Sequence, residues 1–249
     1  MRRMSTLAAT LAVPVLLAAL APFAALGQSP RDRPWLLADV PIVIAPRAEN
    51  AIEWGALATD PRVKAVVHKA SQGSRADPAF LPRAEEAKKR GLFWGASHLG
   101  TPGDPLGQAE FFVDLASQTG AKFLALEIQN TDPQRSMSLD DAAKFVEHVH
   151  FITGRYPAVH VNSAVYEALS KAYDKASVFA NTPLWITDFR SQLGRQNRRV
   201  WNDYTLWQFS SERNCNARQP CLYRVPGTRT DMDLSVFNGD PARLGALFE

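Results

Sequence analysis

Glu127 and Gln129 close an apolar run, Phe123-Leu-Ala-Leu-Glu-Ile-Gln129, and chemistry can be argued most directly from them. Along an extended chain the side chains alternate in direction. Leu124, Leu126 and Ile128 then share one face, while Phe123, Ala125, Glu127 and Gln129 share the other. An acid followed two residues on by a second acid makes the facing carboxylate pair that glycoside hydrolysis uses. Here the second member is an amide. An amide donates a hydrogen bond but releases no proton near neutral pH. General acid help is worth about 10² to 10⁴ in rate, or roughly 3–5 kcal/mol of barrier.

The elements that must position this pair follow from the same alternation. Short apolar runs predict strands at Ile42–Ala45, Ala65–Ala70, Phe93–Leu99, Phe123–Gln129, Ala158–Val161, Leu184–Phe189, Thr205–Phe209 and Met232–Phe237. Helical stripes lie between the early ones. Asp77-Pro78 offers a cap and a first-turn proline before Phe80, Ala84 and Ala87. Asp104-Pro105 repeats the device before Leu106, Ala109, Phe112 and Ala116. Ser138 with Asp141 resembles a capping box, and Gly154 ends that helix. Strands alternating with helices imply an α/β fold, a single-domain β/α (TIM-like) barrel. Weak helical periodicity between the later strands makes it an irregular one.

Reactive groups in such a barrel sit at the C-terminal strand ends. Polar residues gather at the predicted ends: Lys69 and Ser71, Ser97 and His98, Glu127 and Gln129, His160 and Asn162, Asp188, Gln208 and Ser210, and Asp233. Any one of them can be a satisfied member of a buried layer, but the set points to a cleft. Asp188 and Asp233 are further acids within reach of it. Trp94, Trp185, Trp207 and Phe209 are candidates for sugar stacking or for core.

The whole chain sets the context. It has 249 residues, a net charge of +3 and 46% apolar residues, enough for a sizeable core. No basic block suggests nucleic acid. Arg2 and Arg3, the apolar run Leu7–Leu26 and the small-residue site Ala25-Leu26-Gly27 predict a secretory signal peptide over 1–27, an uncleaved membrane anchor being the alternative. Residues 28–40 are expected to form a linker and 41–249 the barrel domain. The mature protein is expected outside the cytoplasm, periplasmic or secreted, with no further membrane segment. Cys215 and Cys221 are expected to pair there, closing a short loop worth about 2 kcal/mol. No metal site and no organic cofactor are expected.

In this order and spacing, several short motifs identify the chain as resembling glycoside hydrolase family 25, the lysozymes or muramidases. They are Ile52-Glu-Trp54, Lys69-Ala-Ser-Gln-Gly73, Asp77-Pro-Ala-Phe80, Gly95-Ala-Ser-His-Leu99, Pro183-Leu-Trp-Ile186, Trp207-Gln-Phe-Ser210 and Asp233-Leu-Ser-Val-Phe237, spanning most of residues 42–237. The resemblance implies an irregular β/α barrel that hydrolyses the β-1,4 bond between N-acetylmuramic acid and N-acetylglucosamine in peptidoglycan. It implies catalytic roles around Glu127, Gln129, Asp188 and Asp233, and substrate contacts at His98, Asn162, Trp185, Trp207 and Gln208. Departures are equally specific. The family's Asp-x-Glu at the fourth strand is Glu127 and Gln129 here, so its general acid is an amide. The first-strand Asp is Ile44 or Ala45, the Glu of the Lys-Ala-Thr-Glu-Gly element is Gln72, and the Tyr before the third-strand His is Ser97. The resemblance therefore implies either a muramidase with a relocated acid or a non-catalytic binder of peptidoglycan or a related glycan.

Overall fold

Eight strands close on themselves in the computed structural model, which describes residues 32–211, 223–228 and 232–249. They are β1 (Ile42–Ala45), β2 (Val63–Gln72), β4 (Phe93–Leu99), β5 (Phe123–Ile128), β6 (Ala158–Asn162), β7 (Leu184–Thr187), β8 (Leu206–Ser210) and β9 (Asp233–Phe237). A short β3 (Arg75–Ala76) pairs back onto the end of β2. The ring closes where β1 pairs with β2 on one side and β9 on the other. All eight predicted strands are present. β9, however, runs antiparallel to both β8 and β1, in an otherwise parallel barrel. This is the irregular β/α barrel expected from the sequence.

Helices cover the outside. After the one-turn α1 (Trp54–Leu57) come α2 (Phe80–Lys88), α3 (Pro105–Gln118), α4 (Leu139–Thr153), α5 (Ser163–Ala172) and α6 (Pro241–Phe248). Residues 188–205, between β7 and β8, hold no helix. Asp104 caps α3 by accepting from Leu106 N, Ser138 caps α4 by accepting from Asp141 N, and Gly154 ends α4 at φ 70°. The start of α2 differs from expectation. Asp77 accepts from Ala79 N at 2.9 Å, which makes a turn ahead of the helix, and Ala79 stands at the cap without a side-chain bond.

Two apolar layers fill the fold. Leu124, Leu126 and Ile128 of β5 pack outward under the helices. Phe123 and Ala125 point into the barrel with Val43, Val67, Trp185 and Leu206. That is the face division read from the alternation. The floor is supplied by α6, whose Leu244 and Phe248 join the inner layer. Phe248 stacks on Phe123 with centroids 4.8 Å apart. A Cβ on Gly95 would lie 3.0 Å from both Phe123 and Phe248, so a larger residue there would crowd the plug.

The predicted signal peptide, together with Cys215 and Cys221, lies outside the described residues. From Asp32 onward the predicted linker is tied to the barrel: Arg33 N donates to Ser191 O at 2.9 Å, and Val40 is buried. No helix among the described residues is long and apolar enough to cross a membrane.

Candidate functional site

The open end of the barrel is a cleft at the C-terminal ends of the parallel strands, opposite the α6 plug. Its cavity volume is about 140 Å³, smaller than most drug-sized ligand pockets. Glu127, Gln129, His160 and Asp233 line it, with Lys69 and Trp185 deeper in. Asp233 reaches it for a reason that strand patterns alone do not contain. It is the first residue of β9, and the reversed direction of that strand carries its N-terminal end to the mouth. There Asp233 lies across from Ala45.

The carboxylate and its amide neighbour are directly bonded. Gln129 Nε2 donates to Glu127 Oε1 at 2.7 Å. Glu127 is half-buried and Gln129 exposed. Asn162 braces this strand end, donating from Nδ2 to Gln129 O at 2.9 Å, while its Oδ1 accepts from Val165 N and caps α5. Gln129 is therefore an N–H donor aimed at a carboxylate, with no transferable proton of its own.

His160 forms the next wall. Its ring stacks on Trp185 with centroids 4.1 Å apart and planes 11° from parallel. Nε2–H donates to Thr187 Oγ1 at 2.8 Å, and the Thr187 hydroxyl donates to Gln208 Oε1 at 3.2 Å. Burial pushes the His160 pKa down, opposed by the Glu127 carboxylate and by Gln208. Trp185 is held in turn by Nε1 donating to Ser235 Oγ at 2.9 Å. Gln208 thus meets the cleft as the end of a fixed relay, and Trp185 as the floor beneath His160.

Three expectations are corrected. His98 is fully buried on the helix side of β4, not in the cleft. Its ring stacks on Phe145, Nδ1 accepts from Ser71 Oγ at 2.8 Å, and Nε2 donates to Gln108 Oε1 at 3.1 Å. Burial lowers its pKa to about 4, so it is a neutral structural residue. Trp207 also faces outward, fully buried, its Nε1 donating to Asp188 O at 2.6 Å. Asp188 lies between the cleft-lining Thr187 and Phe189 but does not itself line the cleft. Arg190 Nε donates to its two carboxylate oxygens at 2.9 and 3.0 Å, so this acid is already engaged. The physical reason is parity. His98 and Trp207 each adjoin an inward residue, Ser97 and Gln208, and a strand cannot aim both members of such a pair inward.

The first-strand ambiguity is resolved in the same way. Ile44 is buried in the outer layer, and Ala45 lines the cleft. Of the two first-strand positions, Ala45 is the one that faces the cleft. Two residues on, Arg47 enters the cleft, a contact not anticipated from sequence. Its segment is clamped from α2. Arg83 donates to the carbonyls of Arg47, Ala48 and Asn50 at 2.6, 2.9 and 2.5 Å. It also donates to His68 Nε2 at 2.9 Å. His68 can accept because burial lowers its pKa to about 4, keeping the ring neutral. No group of three or more His, Cys, Asp or Glu among the described residues is placed to hold a metal ion.

Comparison with known proteins agrees with this fold. The profile of glycosyl hydrolases family 25 matches residues 47–217. No curated protein sequence matches the chain. Among solved structures, the lysozyme of Streptomyces coelicolor superposes with a TM-score of 0.67 at 20% identity, over 84% of this chain and 97% of that one. A muramidase from Acremonium alcalophilum gives 0.64 at 23% identity, over 83% and 98%. A family 25 lysozyme from Aspergillus fumigatus gives 0.66 at 19% identity, over 84% and 99%. At these identities the likeness is one of fold.

Proposed function

The chain belongs to glycosyl hydrolase family 25, and we propose that it is a lysozyme-like protein whose cleft holds a peptidoglycan strand in the absence of the family's proton donor. The observation that carries this reading is the Gln129–Glu127 hydrogen bond at the strand end where the family places its acid. Amides and carboxylates suit a sugar, since hydroxyls both donate and accept. Gln129 and Asn162 offer amide groups, Glu127 and Asp233 offer acceptors, and Trp185 supplies an apolar floor. Ala45 removes a second carboxylate that would stabilise an oxocarbenium-like transition state. Binding groups thus outnumber reacting ones.

A second reading is a muramidase with a relocated acid. Its support is that Glu127 and Asp233 both line the cleft. Asp188 is the weaker candidate because Arg190 occupies its carboxylate. Under either reading the protein works outside the cytoplasm, in the periplasm or secreted, after removal of a leader at Gly27, with Cys215 paired to Cys221.

Two assays on the purified protein separate the possibilities. Co-sedimentation with insoluble peptidoglycan tests the cleft reading, which fails if the protein stays in the supernatant. Reducing-end release across an acid-to-neutral pH series tests for the relocated acid. Release well above a buffer blank would establish the muramidase and displace the binder.

A further inference from the structure

Two non-glycine residues of the described chain have left-handed backbone, Arg33 at φ 44° and Arg198 at φ 56°. L side chains are strained there, and glycine or asparagine is the easier choice. Both residues are arginines, and their segments are joined. Arg33 N donates to Ser191 O at 2.9 Å, and Asp32 bridges to Gln192. The second segment leaves the cleft wall directly, since Phe189 lines the cleft and Arg190 follows it.

This segment is anchored rather than loose. Leu193, Val200 and Trp201 are buried. Asn197 Oδ1 accepts from the Tyr166 hydroxyl of α5 at 3.2 Å and from Arg199 N at 3.0 Å. Between these anchors Arg190, Arg195, Arg198 and Arg199 are exposed. Residues 32–33 and 188–202 together carry five arginines against Asp32 and Asp188, an excess equal to the +3 of the whole chain. Asp188 is bound to Arg190. Asp32 stands 3.9 Å from Arg33, with both side chains exposed. Arg195 and Arg198 have no carboxylate partner among the described residues.

We propose that this arginine strip extends the cleft and takes the carboxylates of the glycan strand whose sugar rings lie in it. The inference rests on the glycan reading above and narrows it to an acidic polymer. A guanidinium matches a carboxylate with two parallel N–H···O bonds. Single exposed pairs are weak and screened by salt. Several guanidinium groups on joined, anchored segments act together and raise the rate of encounter. Strain at Arg33 and Arg198 fits a strip in which side-chain direction matters more than local stability.

The test compares retention of the full chain on peptidoglycan and on chitin, an uncharged β-1,4 glycan, at low and high salt. Retention on peptidoglycan should exceed that on chitin at low salt, and the difference should vanish at high salt. The double variant Arg195→Gln with Arg198→Asn, where asparagine tolerates the left-handed backbone, should lower peptidoglycan retention about three- to tenfold at low salt. Its chitin retention and melting temperature should not change. Salt-insensitive and equal retention on both polymers would overturn the strip while leaving the cleft reading standing. Retention on neither polymer would overturn the cleft reading and the strip with it. Equal retention on vesicles of anionic phospholipid would assign the strip to a membrane surface and also overturn the proposal. Should the double variant not fold, the salt dependence of the unaltered chain decides alone.

Discussion

Placing acids at positions 129 and 45 should give the cleft hydrolytic chemistry, if the proposed reading holds. The perturbation is Gln129→Glu, with and without Ala45→Asp. A carboxyl at position 129 would stand about where the amide now lies, 2.7 Å from Glu127 Oε1. Two like charges near 3 Å repel by about 5 kcal/mol at an effective dielectric of about 20. Position 129 is exposed, and solvent screening reduces this to roughly 1–2 kcal/mol. That is about one pK unit, so the pair would hold one proton up to about pH 5–6. A proton held there can be delivered to a glycosidic oxygen, a step worth about 10² to 10⁴ in rate. Ala45→Asp places a carboxylate across from Asp233 and should add at least about tenfold by stabilising developing positive charge. Reducing-end release from peptidoglycan, followed from acid to neutral pH, is the assay. The single variant should exceed wild type, with an optimum near pH 5, and the double variant should exceed the single. A double variant that folds and co-sediments with peptidoglycan like wild type, yet releases nothing, would refute this reasoning. So would a wild type as fast as the variants, because Glu127 or Asp233 would then already supply the proton.

Three further outcomes follow from packing and protonation. His68 and His98 have folded-state pKa values near 4, below the unfolded 6.5. The unfolded chain therefore binds more protons between those values, and stability falls as pH drops from 6.5 to about 4, by about 3 kcal/mol for each. A melting-temperature series should show that fall and should flatten in His68→Gln/His98→Gln; an unchanged slope would contradict it. Gly95→Ala should cost about 1–3 kcal/mol in urea unfolding, because a methyl there meets Phe123 and Phe248 at 3.0 Å. Arg83→Ala strips three carbonyls of their donor and should cost about 2–4 kcal/mol. Hydrogen exchange should accelerate at residues 47–50 more than in β5, and uniform exchange would contradict the clamp.

Much of the barrel was legible because strand periodicity survives in single runs. The inward face of β5 is legible for that reason, and the caps of α3 and α4 are legible from Asp104-Pro105 and from Ser138 with Asp141. Alternation is blind to direction, so the reversal of β9 was not readable, and neither was the route by which Asp233 reaches the mouth. Parity places His98 and Trp207 on the face opposite Ser97 and Gln208, whereas the family resemblance alone implies them in the cleft. The α6 plug also left a signal. Asp240-Pro241 repeats the Asp104-Pro105 device, and Asp240 accepts from Arg243 N at 2.8 Å. Arg47 left none, because its place in the cleft depends on a clamp supplied by Arg83 from a helix far along the chain.

The central claim is that the barrel mouth between Glu127 and Asp233 is where the glycan lies. A crystal structure of the protein soaked with a peptidoglycan-derived oligosaccharide tests it most directly. The expected result is a sugar ring hydrogen-bonded to Glu127, Gln129 or Asp233, above the His160–Trp185 stack. Sugar bound only on the outer wall, or a cleft empty of ligand at saturating concentration, would contradict it.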